Sequence, residues 1–280
     1  MPQSSPPAQP PASHAVPAEP VRFGGVRTPA TTVEVAVEAP VNIVYGNQPY
    51  AVMMATPSDL EDFALGFSLT EGIVRGIDEI RGIEVAPQTD GIVVTVDLAP
   101  GRFREHLARR RNLSGRTSCG LCGVETLEEM PQADAGSRQA APIRASAIQA
   151  ALEALDAHQP LSQLTRAVHA AAWCDAQGAI RAVREDVGRH NALDKLIGAR
   201  LRAGQGTSDG FVLVTSRASF EMVEKTAIFG AGTLVSISAP TSLAIERATA
   251  LGLTLVSIAR RDGCTVFTGA LAPALESELR

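Results

Sequence analysis

Residues 211–258 read FVLVTSRASFEMVEKTAIFGAGTLVSISAPTSLAIERATALGLTLVSI. Three short apolar runs, Phe211–Thr215, Leu234–Ser238 and Leu253–Ile258, alternate with two amphipathic stretches, Phe220–Phe229 and Leu243–Leu251. Apolar strands alternating with helices mean βαβ units and a mostly parallel sheet covered on both faces. An α/β fold is therefore expected. If the strands are parallel, the loops that follow them share one sheet edge, where ligands of open α/β sheets bind. Those loops are Ser216-Arg217-Ala218-Ser219, Ser238-Ala239-Pro240-Thr241-Ser242 and Arg260-Arg261-Asp262-Gly263. Ser219 is placed to cap the helix that starts at Phe220.

Working back from this block, a helix is expected over His190–Arg202. Before it come two strands, Ala167–Cys174 and Ala179–Arg184, joined by the turn Asp175-Ala176-Gln177-Gly178. The second strand leads into Arg184-Glu185-Asp186-Val187-Gly188-Arg189-His190-Asn191, with Asp194-Lys195 one turn later. Taken singly, each loop reads as ordinary helix caps and a solvated rim. Together, hydroxyls, arginines and helix N-termini on one edge suit a phosphate or pyrophosphate. A nucleotide-bearing ligand is favoured, although the chain has neither a Walker sequence nor G-x-G-x-x-G. His169, on a strand among alanines, reads as a core histidine, and Cys174 and Cys264 read as buried.

The first half is organised differently. Strands are expected at Thr32–Val37, Val41–Tyr45 and Tyr50–Ala55, with a second pair at Gly82–Ala86 and Ile92–Leu98. Ser58-Asp59-Leu60-Glu61 reads as a capping box, opening a helix whose core stripe is Leu60, Phe63, Ala64 and Phe67. A basic helix follows at Phe103–Arg111. Residues 1–22, rich in Pro and Ala, read as a disordered arm. The expected division is an N-terminal α+β domain over 23–136 and an α/β ligand-binding domain over 140–280, joined through the small, polar 131–142 stretch.

Cys119 and Cys122 sit in Gly115-Arg116-Thr117-Ser118-Cys119-Gly120-Leu121-Cys122-Gly123, two of only four cysteines in 280 residues. Arg109–Arg111 and Arg116 precede them, and a helix is expected at Val124–Met130. Arginines and a helix N-terminus stabilise a thiolate. A free thiol is only about 3% ionised at neutral pH, and a drop of about two pKa units, roughly 2.7 kcal/mol, makes it mostly thiolate. A structural zinc site would need a second paired cluster, which the sequence lacks, so no metal is expected. The nucleobase-deaminase pattern fails because no His-x-Glu is present. A thioredoxin-type site is weakened because the pair follows a helix instead of an early strand. Thiolate nucleophilicity toward sulfur remains.

A net charge of −5 argues against general nucleic-acid binding. No apolar run is long enough for a signal peptide or a bilayer span, and few cysteines fit a reducing cytoplasm. Arginine dominates the basic residues. The only lysines, Lys195 and Lys225, both lie in segments that look functional.

These segments resemble the FdhD family, the formate dehydrogenase accessory sulfurtransferases. The resemblance runs from about Thr31 to Thr268. It rests on the cysteine loop, on Arg184–Lys195, on Ser219-Phe220-Glu221-Met222-Val223 with Lys225, and on Ser238-Ala239-Pro240-Thr241. It implies a cytoplasmic homodimer with a cytidine-deaminase-like, three-layer C-terminal domain. It further implies that sulfur passes from a cysteine desulfurase, as a persulfide on Cys119, to a molybdenum bis(molybdopterin guanine dinucleotide) cofactor needed by formate dehydrogenase. Cys122 completes the reactive pair. Cofactor binding is implied for Ile258, Ala259, Arg260, Arg261, Asp262 and Gly263, and expected of Ser219, Thr241, Arg189, His190 and Lys195. One departure stands out: the family usually has Thr-Gly-Gly ahead of the His-Ala-Ala stretch, whereas Thr165-Arg166-Ala167-Val168 precedes His169 here. Without those glycines the backbone cannot take positive φ cheaply, and a ligand packing closely against it is expected to fit differently.

Overall fold

The computed structural model describes residues 7–24, 29–111, 133 and 142–274, with backbone alone for 106–111. In chain order the elements are β1 (Ser13–Ala18), β2 (Thr31–Ala36), β3 (Ala39–Tyr45), β4 (Gln48–Ala55), α1 (Leu60–Thr70), β5 (Ile80–Gln88), β6 (Gly91–Leu98) and α2 (Pro100–Arg111). After these come α3 (Ala145–Leu155), α4 (Pro160–Thr165), β7 (His169–Asp175), β8 (Ile180–Asp186), α5 (Arg189–Arg202), β9 (Gly210–Val214) and α6 (Phe220–Phe229). The last are β10 (Thr233–Ser236), α7 (Ser242–Leu251), β11 (Thr254–Arg260) and β12 (Gly263–Thr268).

Alternation builds the smaller sheet, whose strand order is β4-β3-β6-β5. Val41, Ile43 and Tyr45 of β3 and Ile92, Val94 and Val96 of β6 are buried on one face. A strand displays every second side chain on the same side, so these residues form one apolar surface. Leu60, Phe63, Ala64 and Phe67 of α1 join the same core, as their helical spacing predicts.

The larger sheet runs β12-β11-β10-β9-β7-β8. Every residue of β9 is buried because helices cover both faces. Val212 and Val214 point with Trp173, Leu234 and Leu255 toward α5, α6 and α7. Phe211 and Leu213 point with Ala172, Val235 and Val256 toward Ile148, Ala151 and Leu155 of α3. One apolar cluster continues from the smaller sheet through α1 to α5, α6 and α7, so both sheets share a core.

Three expectations need correction. The larger sheet is mixed, not mostly parallel: β9, β10 and β11 pair in parallel, while β7 is antiparallel to β8 and β9, and β12 to β11. The reason is connection length. The turns after β7 and β11 are too short for a crossover and can join only antiparallel neighbours. Residues 13–18 are not an unstructured arm, since β1 pairs with β2 from Ser13↔Ala36 to Ala18↔Thr31. No capping box forms at α1. Asp59 takes the N-cap place with φ 52° and makes no side-chain cap. Its carboxylate instead faces Arg184 at 3.5 Å.

Where the family's glycines are missing, Arg166 takes a left-handed backbone, φ 54°, at the C-terminus of α4. A side chain in that region costs roughly 1–2 kcal/mol, some of which glycine returns as extra unfolded-state entropy. Arg166→Gly is therefore expected to stabilise the protein by up to about 1 kcal/mol, visible as a raised thermal midpoint. A lowered midpoint would show that the arginine side chain itself matters.

Candidate functional site

Strands β8, β9, β10 and β11 run in one direction and end on the same edge of the larger sheet, where β7 begins. The loops on this edge are stitched together by their own backbones. Thr241 N–H donates to Ala218 O at 3.0 Å, and Ile258 N–H to Ser238 O at 3.1 Å. Beneath them the Ser236 and Ser257 hydroxyls meet at 2.7 Å. On the far side, Thr215 Oγ1 accepts from Ala170 N–H at 2.9 Å. A continuous rim results, and the N-termini of α5, α6 and α7 open onto it.

This rim gathers Arg189, His190, Ser219, Thr241 and the Ile258–Gly263 segment. Thr241 caps α7, its hydroxyl accepting from Ala244 N–H at 3.3 Å. Ser219 occupies the N-cap place of α6, but its hydroxyl makes no cap bond. Arg260, Arg261 and Asp262 are exposed, and Ala259 is buried. Arg260 closes β11, and Arg261-Asp262 form a hairpin turn into β12. At Ile258 the β11–β12 register breaks and the backbone turns to φ 53°. A β-branched residue there is strained by about 1–3 kcal/mol, the kind of outlier that concentrates at functional sites. Its side chain remains 40% exposed at the rim.

Lys195 does not belong to the rim. It is fully buried, with Nζ 2.6 Å from Asp186 Oδ2 and donating to Thr56 O at 2.9 Å. Burial pushes its ammonium below the ordinary lysine value, against the pull of Asp186. Its work is to hold the rim up: Asp186 also accepts from Gly188 N–H at 2.8 Å, Asn191 Nδ2 at 3.0 Å and Thr56 N–H at 3.0 Å. These bonds fix the loop that presents Arg189 and His190. Lys225 has the equivalent role in the neighbouring helix. It donates to Thr70 Oγ1 at 2.8 Å, Asp194 Oδ2 at 2.9 Å and Glu71 Oε1 at 3.1 Å. A compact ammonium can serve such a cluster of oxygens, whereas a planar guanidinium cannot. That explains why lysine appears at these two places in an arginine-rich chain, and this scarcity is the signal that points to the buried network.

His169 is half-buried at the start of β7 and lies on the rim, not in the core. Burial, then the charges of Arg189 and His190, hold its imidazole below the ordinary value. Glu221, absent from the expected set, lies 2.7 Å from His190 Nε2. Cys174 is buried and its thiol is pushed up to about 12, chiefly by burial, which makes it inert. Cys264 is partly exposed, contrary to expectation, and burial raises its thiol as well.

Cys119, Cys122, Arg116, the 124–130 helix and the 131–142 boundary, apart from Ala133 and Pro142, lie outside the described residues, as do the side chains of Arg109–Arg111. Downstream of the cysteines, Ala133 is held between two helices that open onto the rim. Its N–H donates to Glu224 Oε2 of α6 at 2.7 Å, and its carbonyl accepts from Arg247 Nη2 of α7 at 3.0 Å. Arg247 also pairs with Glu224.

Residues 36–272 match the model of the FdhD/NarQ family. The chain belongs to this family. It is 49% identical over 247 residues to the sulfur carrier protein FdhD of Xanthomonas euvesicatoria pv. vesicatoria, covering 88% of each chain. Against the sulfur carrier protein FdhD of Cupriavidus necator it is 51% identical over 234 residues, 84% of this chain and 81% of the other. A crystal structure of a putative formate dehydrogenase accessory protein from Desulfotalea psychrophila superposes with a TM-score of 0.71. It shares 27% identity and covers 92% of this chain and 98% of its own. The family resemblance drawn from the motifs is thereby established, with a mixed α/β fold. No helix among the described residues of this FdhD/NarQ member is long and apolar enough to cross a membrane.

Proposed function

We propose that this protein is a sulfurtransferase serving formate dehydrogenase. It takes sulfur from a cysteine desulfurase onto Cys119 and passes it to a substrate, the molybdenum bis(molybdopterin guanine dinucleotide). The reading draws on the sulfur-carrier relatives and on the formate dehydrogenase accessory protein whose fold it shares. The observation that carries it is the rim, where three helix N-termini, two exposed arginines and a strained turn at Ile258 converge. Such a rim suits the nucleotide ends of that substrate. We read the helices on both faces of the larger sheet as the cytidine-deaminase-like arrangement, and the protein as a cytoplasmic homodimer.

Loading is a thiolate displacement. The Cys119 thiolate attacks the terminal sulfur of the desulfurase persulfide, a new S–S bond forms, and the desulfurase cysteine leaves as thiolate. Delivery breaks that new bond. The sulfur goes to molybdenum, which supplies the two electrons that make it a sulfido ligand, and Cys119 returns to thiolate.

The test separates the two halves. After incubation with desulfurase and cysteine, intact mass spectrometry should show a one-sulfur adduct that Cys119→Ala abolishes. Arg260→Ala and Arg261→Ala should weaken GDP binding while leaving the adduct in place. GDP binding without any adduct on the wild-type protein would reduce the role to a carrier of the cofactor. Loss of the adduct with intact GDP binding in the arginine variants would misplace the nucleotide.

A further inference from the structure

We propose that a cleft at the opposite edge of the larger sheet binds a small zwitterion, an α-amino acid, with its carboxylate on Arg200 and its ammonium toward Asp209. The cleft is separate from the rim, which lies at the other ends of the same strands.

It opens where β7 ends at Asp175 and where β8 and β9 begin, beside the last turn of α5. The seven residues of β7 put it roughly 20 Å from the rim. Its volume is about 610 Å³, within the range of small-molecule sites. Trp173 lines it and is held in place by its neighbours. Its ring meets Phe229 edge-on with centroids 5.9 Å apart, and Gly210 packs so close that a Cβ there would lie 2.8 Å from Trp173 Cζ2. The guanidinium of Arg200, which also lines the cleft, lies 4.6 Å from the centre of the Trp173 ring.

Arg200 is the anomaly. It is only 5% exposed, yet among the described residues no carboxylate pairs with it. Buried charges are ordinarily paired, because leaving water is costly for an ion without a counter-charge. Its neighbours are neutral: Nη1 donates to Gln205 Oε1 and Nη2 to Gly206 O. Each Nη atom carries a second hydrogen, and neither has a further acceptor among the described residues. The Trp173 face and the C-terminus of α5 offer partial negative charge, but neither is a full counter-ion. Burial accordingly holds the guanidinium below the ordinary arginine value, against the pull of Asp209. A carboxylate entering the cleft would bring the missing charge and meet a fork already fixed in direction.

The other charges on the walls decide the class of ligand. Arg181 and Asp175 neutralise each other at 2.7 Å, and Asp175 Oδ1 accepts from the N–H groups of Gln177 and Ala179. Asp209 is exposed, lines the cleft and lies within Coulombic reach of Arg200. Among the described residues it makes no ion pair or hydrogen bond. One cation and one anion are therefore left unmatched. A polyphosphate would be repelled by Asp209, and a plain carboxylate would leave that acid unused. A molecule with a carboxylate and an ammonium a few bonds apart matches both charges, and that is the chemistry of an α-amino acid.

Trp173 is the only tryptophan of the chain, so intrinsic fluorescence reports on this cleft alone. The full chain is titrated at neutral pH and constant ionic strength with L-alanine, L-serine, L-glutamine and L-leucine, each to tens of millimolar. At least one should give a saturable change in emission. Acetate and ethylamine, which carry one charge each, should bind at least about tenfold more weakly than that amino acid. Asp209→Asn, an exposed change that breaks no contact, should weaken the amino acid about three- to tenfold and leave acetate unaffected. Arg200→Lys keeps the charge but loses the fork and should weaken both. No saturable change with any of the four amino acids overturns the proposal, as does an amino acid that binds no tighter than acetate. Both are measurements on the wild-type protein and need no variant to fold. Amino-acid affinity untouched by Asp209→Asn overturns it as well.

Discussion

Gly198→Ala is expected to leave little folded protein at 37 °C. Helices α1 and α5 cross with their backbones in contact at Gly66 and Gly198. A Cβ at Gly198 would fall on the Asp62 carbonyl oxygen and lie 2.9 Å from the Asp62 Cα. At Gly66 a Cβ would fall on the carbonyl oxygen of Asp194 and come within 2.9 Å of Gly198 N. Overpacking against movable side chains costs about 1–3 kcal/mol. Here the obstacle is backbone, and no rotamer relieves it. The helices would have to separate, and α1 joins the smaller sheet to the core while α5 does the same for the larger. Separation would also pull Thr70 of α1, whose hydroxyl donates at 2.8 Å, from Asp194 of α5, and Asp62 from Arg184, which now donates to it through Nε and Nη2 at 2.9 and 2.8 Å. A loss of at least about 3 kcal/mol is a large share of a typical stability of about 5–15 kcal/mol. Urea denaturation measures it. Gly101→Ala is the control, because a Cβ in that exposed helical position meets nothing within 4 Å. A Gly198→Ala protein that unfolds together with the control would contradict the close crossing.

Lys225→Met should cost about 3–5 kcal/mol at neutral pH, the penalty for leaving buried charge without its partner. The ammonium serves Thr70, Glu71 and both oxygens of Asp194. Methionine fills the volume and leaves two carboxylates facing each other. Lys225→Arg should also destabilise, because a planar fork cannot occupy the place of a compact ammonium. The sign of the pH dependence follows from the carboxyls. Burial raises Asp194 and Glu71, and Lys225 pulls both back. Without the lysine both rise further above their unfolded values. Acids in that position bind protons more tightly when folded, so stability is lost as pH rises through their folded values. The deficit of the variant is therefore largest at neutral pH and narrows as pH falls toward the ordinary carboxyl range. Lys225 itself is raised: burial opposes the shift, and Asp194 and Glu71 outweigh it. In the wild type its contribution is complete at neutral pH and is lost only far into the alkaline range. A variant within about 1 kcal/mol of wild type at pH 7 would make the network no stronger than a surface ion pair.

Local pattern carried much of the fold. The span of α6 coincides with the Phe220–Phe229 expectation, and β3, β6 and α1 fall where alternation or helical spacing placed them. These features depend on neighbours within a few residues, so the chain alone displays them. Strand direction was harder. The apolar runs of β7 and β11 look the same whichever way their partners run, and only the short connections decide. Composition misled at residues 13–18, because pairing with β2 is a long-range contact that Pro and Ala content does not encode.

For the site, the sequence by itself determined the family and the loops that form the rim, since each lies in a contiguous motif. It also marked Lys195 and Lys225 as special without saying why. Only the tertiary structure decided what those residues do. Burial removed Lys195 from the rim and set it under Asp186. Helix packing brought Glu221 to His190, thirty-one positions away in sequence. The break in register between β11 and β12 placed Ile258 in a left-handed turn. Whether a charged residue faces solvent, a ligand or a buried counter-charge depends on what packs against it, and that is settled by contacts between elements far apart in the chain.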